Sequence, residues 1–266
     1  MTMTKFNFVD HLPRFVLLMA ALCASSFSNA GDVTPIVRAS IMLTEPWGFY
    51  ENGTADADKS KLRMTGIWLE IAALVEAEAN IKINKTLTPY PRIWQELENG
   101  DTDISFLIRS TDREAIVNHA GHLFDFGTVV VARKGVTLER YENLQSLRIG
   151  MLRGIRLSPT FDADTQLHKI EVRDYETLVN MLREERLDAI AGNSVSIPYL
   201  LKKLDAKQIA GKRLVLQSTP VTVHASKHYQ DAKVLKQIED AVLRLKRRNA
   251  FEAVLDRWAG KEWRVK

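Results

Sequence analysis

The sequence predicts an α/β protein built as two successive blocks, and three observations carry this expectation. Strand-like apolar segments alternate with segments whose apolar residues fall on one helical face. The alternation runs from residue 36 to about 108, meets a strongly β-branched stretch, and starts again at residue 147. The composition, 45% hydrophobic and 26% charged over 266 residues, is that of an ordinary globular chain of one or two domains.

In the first block, residues 36–43 (IVRASIML) read as a strand. Ile67, Ile71, Leu74 and Val75 then share one helical face, and residues 81–87 (IKINKTL) alternate as a strand does. Pro91 suits a first helical turn, Ile93, Trp94 and Leu97 fall inside that helix, and Gly100 ends it. Residues 103–108 (DISFLI) complete a β-α-β-α-β series. The β-branched stretch 127–132 (GTVVVA) leads to the second block. There 147–152 (LRIGML) is a strand, Ser158 and Pro159 are a cap and a first helical residue, and 168–172 (HKIEV) is a strand. Asp174 caps a helix carrying Leu178, Met181 and Leu182, residues 188–191 (DAIA) form a short buried strand, and 197–201 lead another helix. Two separate late strands are expected at 212–216 and 221–224. A long helix with Val234, Leu235, Ile238, Val242 and Leu245 follows, then a short one with Phe251, Val254, Leu255 and Trp258. The second block is too short to house these helices, so the chain is expected to return to the first block after about residue 220. No internal sequence repeat is visible, and the polar stretch 51–61 reads as a solvated loop.

Residues 1–30 read as a secretory leader. Lys5 and Arg14 give it a positive start, an apolar run follows at 15–24, and Ser28, Asn29 and Ala30 supply the small residues a signal peptidase reads. The run falls well short of the ~20 residues a membrane span needs. Leu22 before Cys23 disfavours a lipoprotein. Cleavage after Ala30 leaves 236 residues, no cysteine and, since the leader carries Lys5, Arg14 and Asp10, a charge of +3 instead of +4. Disulfides, thiol nucleophiles and cysteine-ligated metals are then excluded. The scattered excess of 37 Lys and Arg over 33 Asp and Glu is too weak to argue for nucleic acid.

Several segments, in order, resemble the extracellular solute-binding proteins of family 3, which serve ABC importers of amino acids and other polar solutes. The segment 45–49 (EPWGF) resembles that family's first loop, and 66–73 (GIWLEIAA) its G-x-x-x-[DE]-[IL]-A helix. Residues 89–92 (PYPR) and 97–103 (LENGDTD) resemble an aromatic turn followed by L-x-x-G-x-x-D. Residues 109–114 (RSTDRE) resemble its ligand-arginine segment, 182–190 (LREERLDAI) a second L-x-x-G-x-x-D-A-[VI], and Trp258 its C-terminal tryptophan. The resemblance covers nearly the whole mature chain. It implies a two-lobed periplasmic-binding-protein fold of type II, each lobe a mostly parallel sheet with flanking helices, joined by two crossing hinge strands. Lobe 1 would comprise 31–134 and 221–266, lobe 2 135–220, with the solute in the cleft between them.

The same resemblance implies the site. Arg113 stands where the family holds a ligand carboxylate, a task suited to a planar guanidinium that donates two parallel hydrogen bonds. Arg109, Ser110 and Arg92 are placed at the same cleft edge, and Arg153, Gly154 and Arg156 at the start of the second lobe's first helix. Together they suggest a basic cleft and a solute with more than one acidic group. Glu45 belongs to the first loop, while Trp47, Phe49 and Tyr90 are candidates for an apolar wall. Asn193 stands where amino-acid receptors of the family carry an aspartate for the ligand ammonium, with Ser194 and Ser196 beside it. Asparagine is neutral, so an ordinary α-amino acid ligand is put in doubt.

Enzymatic motifs are weak. There is no G-x-S-x-G and no phosphate loop. His119 and His122 are spaced like loop residues without a third metal ligand, and Asp56 and Asp58 lack the rest of a calcium loop. The expectation is therefore a monomeric periplasmic receptor without cofactor or metal, binding a small polar, carboxylated solute for an ABC permease. Two rivals are a cyclohexadienyl-dehydratase-like enzyme on the same scaffold and a sensory module for a membrane partner.

Overall fold

The computed structural model describes residues 34–52, 58 and 61–265. The expected leader and most of the expected polar loop lie outside the described residues. In chain order come β1 (Ile36–Met42), β2 (Phe49–Tyr50), β3 (Met64–Thr65), α1 (Ile67–Ala79), β4 (Lys82–Thr88), α2 (Tyr90–Asn99), β5 (Ile104–Ile108) and β6 (Val117–Arg133). Then follow β7 (Arg148–Leu152), α3 (Pro159–Ala163), β8 (His168–Val172), α4 (Tyr175–Arg183), β9 (Ala189–Asn193), α5 (Ser196–Lys203), β10 (Ala210–Ser226), α6 (Ala232–Arg247) and α7 (Ala250–Ala259).

Eight strands form one sheet in the order β4-β1-β5-β10-β6-β9-β7-β8, while β2 and β3 pair only with each other. Within each half the short strands are parallel: β4 with β1 and β1 with β5, then β9 with β7 and β7 with β8. Within this eight-stranded sheet the antiparallel pairings all involve β6 or β10, and the separate β2–β3 pair is antiparallel too. This is an α/β fold with a mostly parallel sheet flanked by helices.

The two long strands differ from expectation. β6 extends far upstream of the β-branched stretch 127–132, and His119 and His122 lie on it instead of in a loop. β10 is one strand of 17 residues where two were expected. The polar run Gln217, Ser218, Thr219, Pro220 reads locally as a break, yet these residues pair opposite Thr128, Gly127, Phe126 and Asp125. Long-range pairing overrides weak local propensity here. Register shifts on either side, at Val215/Gln217 and Val221/Thr222, absorb the irregularity as β-bulges do.

The core follows the sheet's two faces. In the first half, Val37, Ala39, Ile41, Phe106 and Val223 pack against α1, α6 and α7, with Trp68 at the centre. Trp68 stacks on Trp47 at 4.8 Å, on Phe124 at 5.8 Å and on Phe106 at 6.0 Å between ring centroids. On the opposite face Ile93, Trp94 and Leu97 of α2 pack on Leu107 and Val117. The second half has its own two clusters, one around Phe161 and Leu144, the other around Leu178, Leu182 and Leu200. Ser158, Asp174 and Asp231 cap α3, α4 and α6 by accepting the backbone N–H of Phe161, Thr177 and Val234.

A device absent from simple sequence identity recurs in both halves. Arg38 on β1 donates its backbone N–H to Asp103 Oδ2 at 2.7 Å, its Nη2 to Asp103 Oδ1 at 2.6 Å, and the same Nη2 to the Gly100 carbonyl at 2.9 Å. Arg148 on β7 does the same with Asp188, at 2.9 and 2.8 Å, and with the Glu185 carbonyl at 2.7 Å. Leu97 and Leu182, which open the two L-x-x-x-x-x-D patterns, are both fully buried. The helix-ending position needs left-handed backbone: Gly100 has φ 78°, and Glu185 adopts φ 60° in the second half without glycine's freedom. The Arg148 guanidinium holds the Asp188 carboxyl down at about 2.

Gly100→Ala is expected to destabilise by about 2 kcal/mol, because left-handed strain is joined by a contact of the new Cβ with His228 Cβ at 2.8 Å. Glu185→Gly relieves the matching strain and is expected to gain ~0.5–1 kcal/mol. Urea midpoints of the two variants, read at constant m-value, check both signs.

Candidate functional site

Strand register locates the site. β5 ends at Ile108, opposite Val221 of β10, which lies opposite Phe124 of β6. β9 ends at Asn193, opposite Thr128 of β6. The two strands run toward each other and stop four residues apart along β6, roughly 13 Å at the usual strand rise. β1 and β4 run parallel to β5, and β7 and β8 to β9, so the carboxyl ends of all six short strands face the middle of the β6–β10 pair. Open α/β sheets bind ligands beyond the carboxyl ends of their strands.

Most of the residues singled out from sequence follow those ends: Glu45 and Trp47 after β1, Tyr90 and Arg92 after β4, Arg109, Ser110 and Arg113 after β5, Arg153 and Gly154 after β7, and Asn193 closing β9. Their side chains divide into two groups. Trp47 is a correction: it is 4% exposed, and its Nε1 donates to Ser196 Oγ at 3.1 Å, so it bridges β1's loop to α5 from within the core instead of forming a wall. The Glu45 carboxylate is also engaged across the sheet halves, by the Tyr199 hydroxyl and by Lys203 Nζ at 2.7 and 2.8 Å. Burial of Tyr199, then its hydrogen bond to the Glu45 carboxylate and that group's charge, raise the phenol's pKa. Asn193 is a capping residue. Its Oδ1 accepts the N–H groups of Val195 at 3.1 Å and Ser196 at 2.6 Å, and its Nδ2 donates to Ser196 Oγ at 2.9 Å. Phe49 packs edge-on against Trp258, 6.1 Å away.

The remaining residues present themselves to solvent. Arg92 is paired with Glu96 at 2.8 Å, Arg109 with Glu114 at 2.7 Å, and Arg153 reaches Glu171 only at 3.8 Å. Gly154 has φ 76° and nothing within 4 Å of where a Cβ would stand. Arg156 is exposed, and its loop is tied to β6 by the Thr128 hydroxyl donating to the Leu157 carbonyl at 2.6 Å.

Arg113 has the most developed support. Its guanidinium carbon lies 5.3 Å from the centroid of Trp94, over the ring, and its one ion pair among the described residues is a 3.7 Å contact with Asp112. The side chain is 43% exposed, so it is held from one side and open on the other. Tyr90 meets Trp94 edge to face at 6.3 Å. Beneath, Trp94 meets the buried ring of His224 at 5.4 Å, and His224 meets His119 at 4.9 Å. His119 Nε2 lies 2.9 Å from Glu114, which Arg109 also grips. The Arg109 and His119 hydrogen bonds hold the Glu114 carboxyl down at about 2. The segment 109–114 is thus anchored at one end by an ion-paired carboxylate and along its middle by an indole platform.

Trp94, His119, His224 and Glu114 were not legible as site residues. The one available signal was the i, i+4 spacing of Tyr90 and Trp94, which puts both on one helix face. A groove of about 470 Å³ runs between Glu70 of α1, Tyr199, Lys202 and Lys203 of α5, and Arg257 and Trp258 of α7. It carries none of the strand-end residues, and Arg257 and Trp258 already donate to Glu70. Among the described residues no group of three or more His, Cys, Asp or Glu is arranged to hold a metal, and no helix is long and apolar enough to cross a membrane.

The family model of the bacterial extracellular solute-binding proteins, family 3, matches residues 44–261. The chain belongs to that family. None of the curated protein sequences matches it. Solved structures share the fold at low identity. An ancestral cationic amino acid solute binding protein is 15% identical, with 84% of this chain and 95% of that one covered at a TM-score of 0.66. The L-cystine solute receptor of Neisseria gonorrhoeae, unliganded and open, is 14% identical, with 88% and 97% covered at 0.65. The VFT2 domain of BvgS from Bordetella pertussis is 13% identical, with 84% and 93% covered at 0.65. This solute-binding protein therefore carries an arginine on an aromatic shelf at the strand ends of its family's fold.

His224 has a consequence for stability. Burial, reinforced by the neighbouring His119 charge, pushes its imidazole down to about 4, and its Nε2 has no hydrogen-bond partner among the described residues. The folded state keeps it neutral, whereas the unfolded chain protonates it below about 6.5. Stability from this group is full above pH 6.5 and is lost as pH falls toward 4. Between pH 7 and 4.5 the wild type is expected to lose about 2 kcal/mol that His224→Gln does not, as read by urea unfolding at the two pH values.

Proposed function

We propose that this protein captures a small, polar, carboxylated solute between the two halves of its sheet and hands it to an ABC importer. The observation that carries the reading is Arg113: a half-exposed guanidinium, oriented by Trp94, whose nearest carboxylate is 3.7 Å away while neighbouring Arg92 and Arg109 are tightly paired. An incoming carboxylate supplies the planar acceptor that this fork lacks. The fold neighbours named for amino acids bind solutes that bear a carboxylate, which agrees with this chemistry.

Capture proceeds by closure of two bodies, residues 31–134 with 221–266, and residues 135–220. The flexing elements are β6 and β10, where register shifts flank the stretch 217–221. The role is binding without chemical turnover, and the site of action is the periplasm, reached through the leader at residues 1–30. The Glu45 junction with Tyr199 and Lys203 lies across the same two bodies and ties the loop after β1 to α5.

A thermal-shift screen of amino acids, dicarboxylates, sugars and polyamines tests the reading. A solute at 100 times its dissociation constant stabilises by about 2.7 kcal/mol, a rise in Tm of ~5–10 °C for a chain of this size. Arg113→Ala is expected to remove that rise for a carboxylated solute, and Arg113→Lys to keep only part of it, because an ammonium cannot form the two-pronged contact. If no solute raises Tm, the receptor reading fails. Unchanged binding by Arg113→Ala removes Arg113 as the anchor.

A further inference from the structure

We propose that the solute carries at least two acidic groups and no cationic one; this rests on the cleft reading given above and narrows it to a ligand class.

The negative groups are committed. Glu45 is taken by Tyr199 and Lys203. Glu114 is taken by Arg109 and His119. Asp112 accepts from the Ser110 hydroxyl, and Glu96 from Ser40 and Arg92. In the second half, Asp162 accepts the Leu157 N–H, and Asp174 caps α4 through Thr177. A ligand ammonium arriving here finds no carboxylate without a partner in these positions. Asn193, at the end of β9, is neutral, and both of its polar atoms are used in turning the chain into α5. Its oxygen already accepts two N–H groups, which leaves little basicity for a cation.

The positive groups are not committed to the same degree. Arg113 meets Asp112 only at 3.7 Å, and Arg153 meets Glu171 only at 3.8 Å. Arg156 makes no ion pair among the described residues. Arg113 stands beyond the end of β5 and Arg153 and Arg156 follow β7, so loosely paired, solvent-facing guanidinium groups flank the central pair from both directions. At the outer strand β8, Arg173 and Glu176 offset each other in sign. A single carboxylate on Arg113 leaves the second half's arginines with Glu171, 3.8 Å from Arg153, as their one close counter-charge among the described residues. An anion with acidic groups at both ends meets both halves, and closure then brings opposite charges together.

The test is a calorimetric and thermal-shift panel on the mature chain with glutarate, phosphoglycolate, L-glutamate, L-glutamine and L-arginine. Glutarate or phosphoglycolate is expected to raise Tm by at least 5 °C, and which of the two binds tighter tells whether the second acid is a carboxylate or a phosphate. L-glutamine and L-arginine are expected to give no shift, and L-glutamate at least a tenfold weaker affinity than glutarate. Binding of L-arginine or L-glutamine without the dianions overturns the proposal and leaves the receptor reading intact. L-glutamate binding tighter than glutarate overturns the exclusion of a cationic group. A panel without any shift overturns both proposals. Two variants locate the effect. Asn193→Asp keeps the capping acceptor but adds a negative charge, and Arg156→Ala removes a positive one. Each is expected to weaken the bound dianion at least tenfold with an unliganded Tm within 2 °C of wild type. Unchanged dianion affinity in both overturns the placement of the second acid.

Discussion

The pairing of β6 with β10 is the constraint on which the rest of the structure depends. Each is a strand of 17 residues, and they run antiparallel from Ala210 opposite Arg133 to Ser226 opposite Val117. β5 and its parallel neighbours hang from one end of this pair, and β9 and its neighbours from the other. Because β5 joins β10 while β9 joins β6, the short strands of the two halves point their carboxyl ends at each other. Had the long strands paired in parallel, one half would present amino ends and the facing loops would not exist. The pairing is also where the sheet is least regular: the bulges around 217–221 interrupt the ladder where Pro220 has no N–H to give. A ladder that is continuous yet locally irregular holds the two halves together.

The Arg–Asp device explains why a short pattern was legible in the chain. Asp103 and Asp188 each receive a backbone N–H and a guanidinium from the first strand of their own half, so the aspartate ties the incoming strand to its parallel neighbour. The leucine six residues earlier seats the preceding helix in the core, and the left-handed residue between them ends that helix and turns its carbonyl toward the same arginine. Leucine, turn and aspartate survive as a spacing because each has one geometric task. The arginines do not form part of the spacing, since they lie some 40 to 65 residues away in sequence. The second copy hides further because Glu185 replaces glycine at the turn. The structural repeat thus leaves only this short spacing as its trace in the sequence.

Element type was readable wherever apolar period and caps agreed, as at Asp174, Ser158 and the Gly100 stop. The long strands were not, because their central residues owe their extended state to partners about 90 residues away. The same division runs through the site. Positions at strand ends follow from order along the chain, so Arg113, Arg109, Arg153 and Asn193 could be placed there from sequence. What a side chain does there depends on neighbours from other elements. Trp47 looked like a wall and is core, because Trp68 stacks on it and Ser196 accepts its N–H from α5. Trp94 looked like core and is core on one face only; its other face carries Arg113. An aromatic ring has two faces, and a sequence period assigns a residue to one environment.

Charge behaves in the same way. The net +4 of the full sequence is small and carries no argument about partners. The informative quantity is which charges are already balanced, and by what. At the strand ends Glu45, Glu114 and Glu96 are held by protein groups at hydrogen-bonding distance, whereas Arg113 and Arg153 reach only 3.7 and 3.8 Å to their carboxylates. Moving a guanidinium from water into a closing cleft costs free energy unless an anion compensates it. Under the proposed function, closure over such a site is favoured only when the solute supplies the missing negative charge. Ligand selection and closure would then be one electrostatic condition: an uncharged or cationic solute leaves the arginines uncompensated.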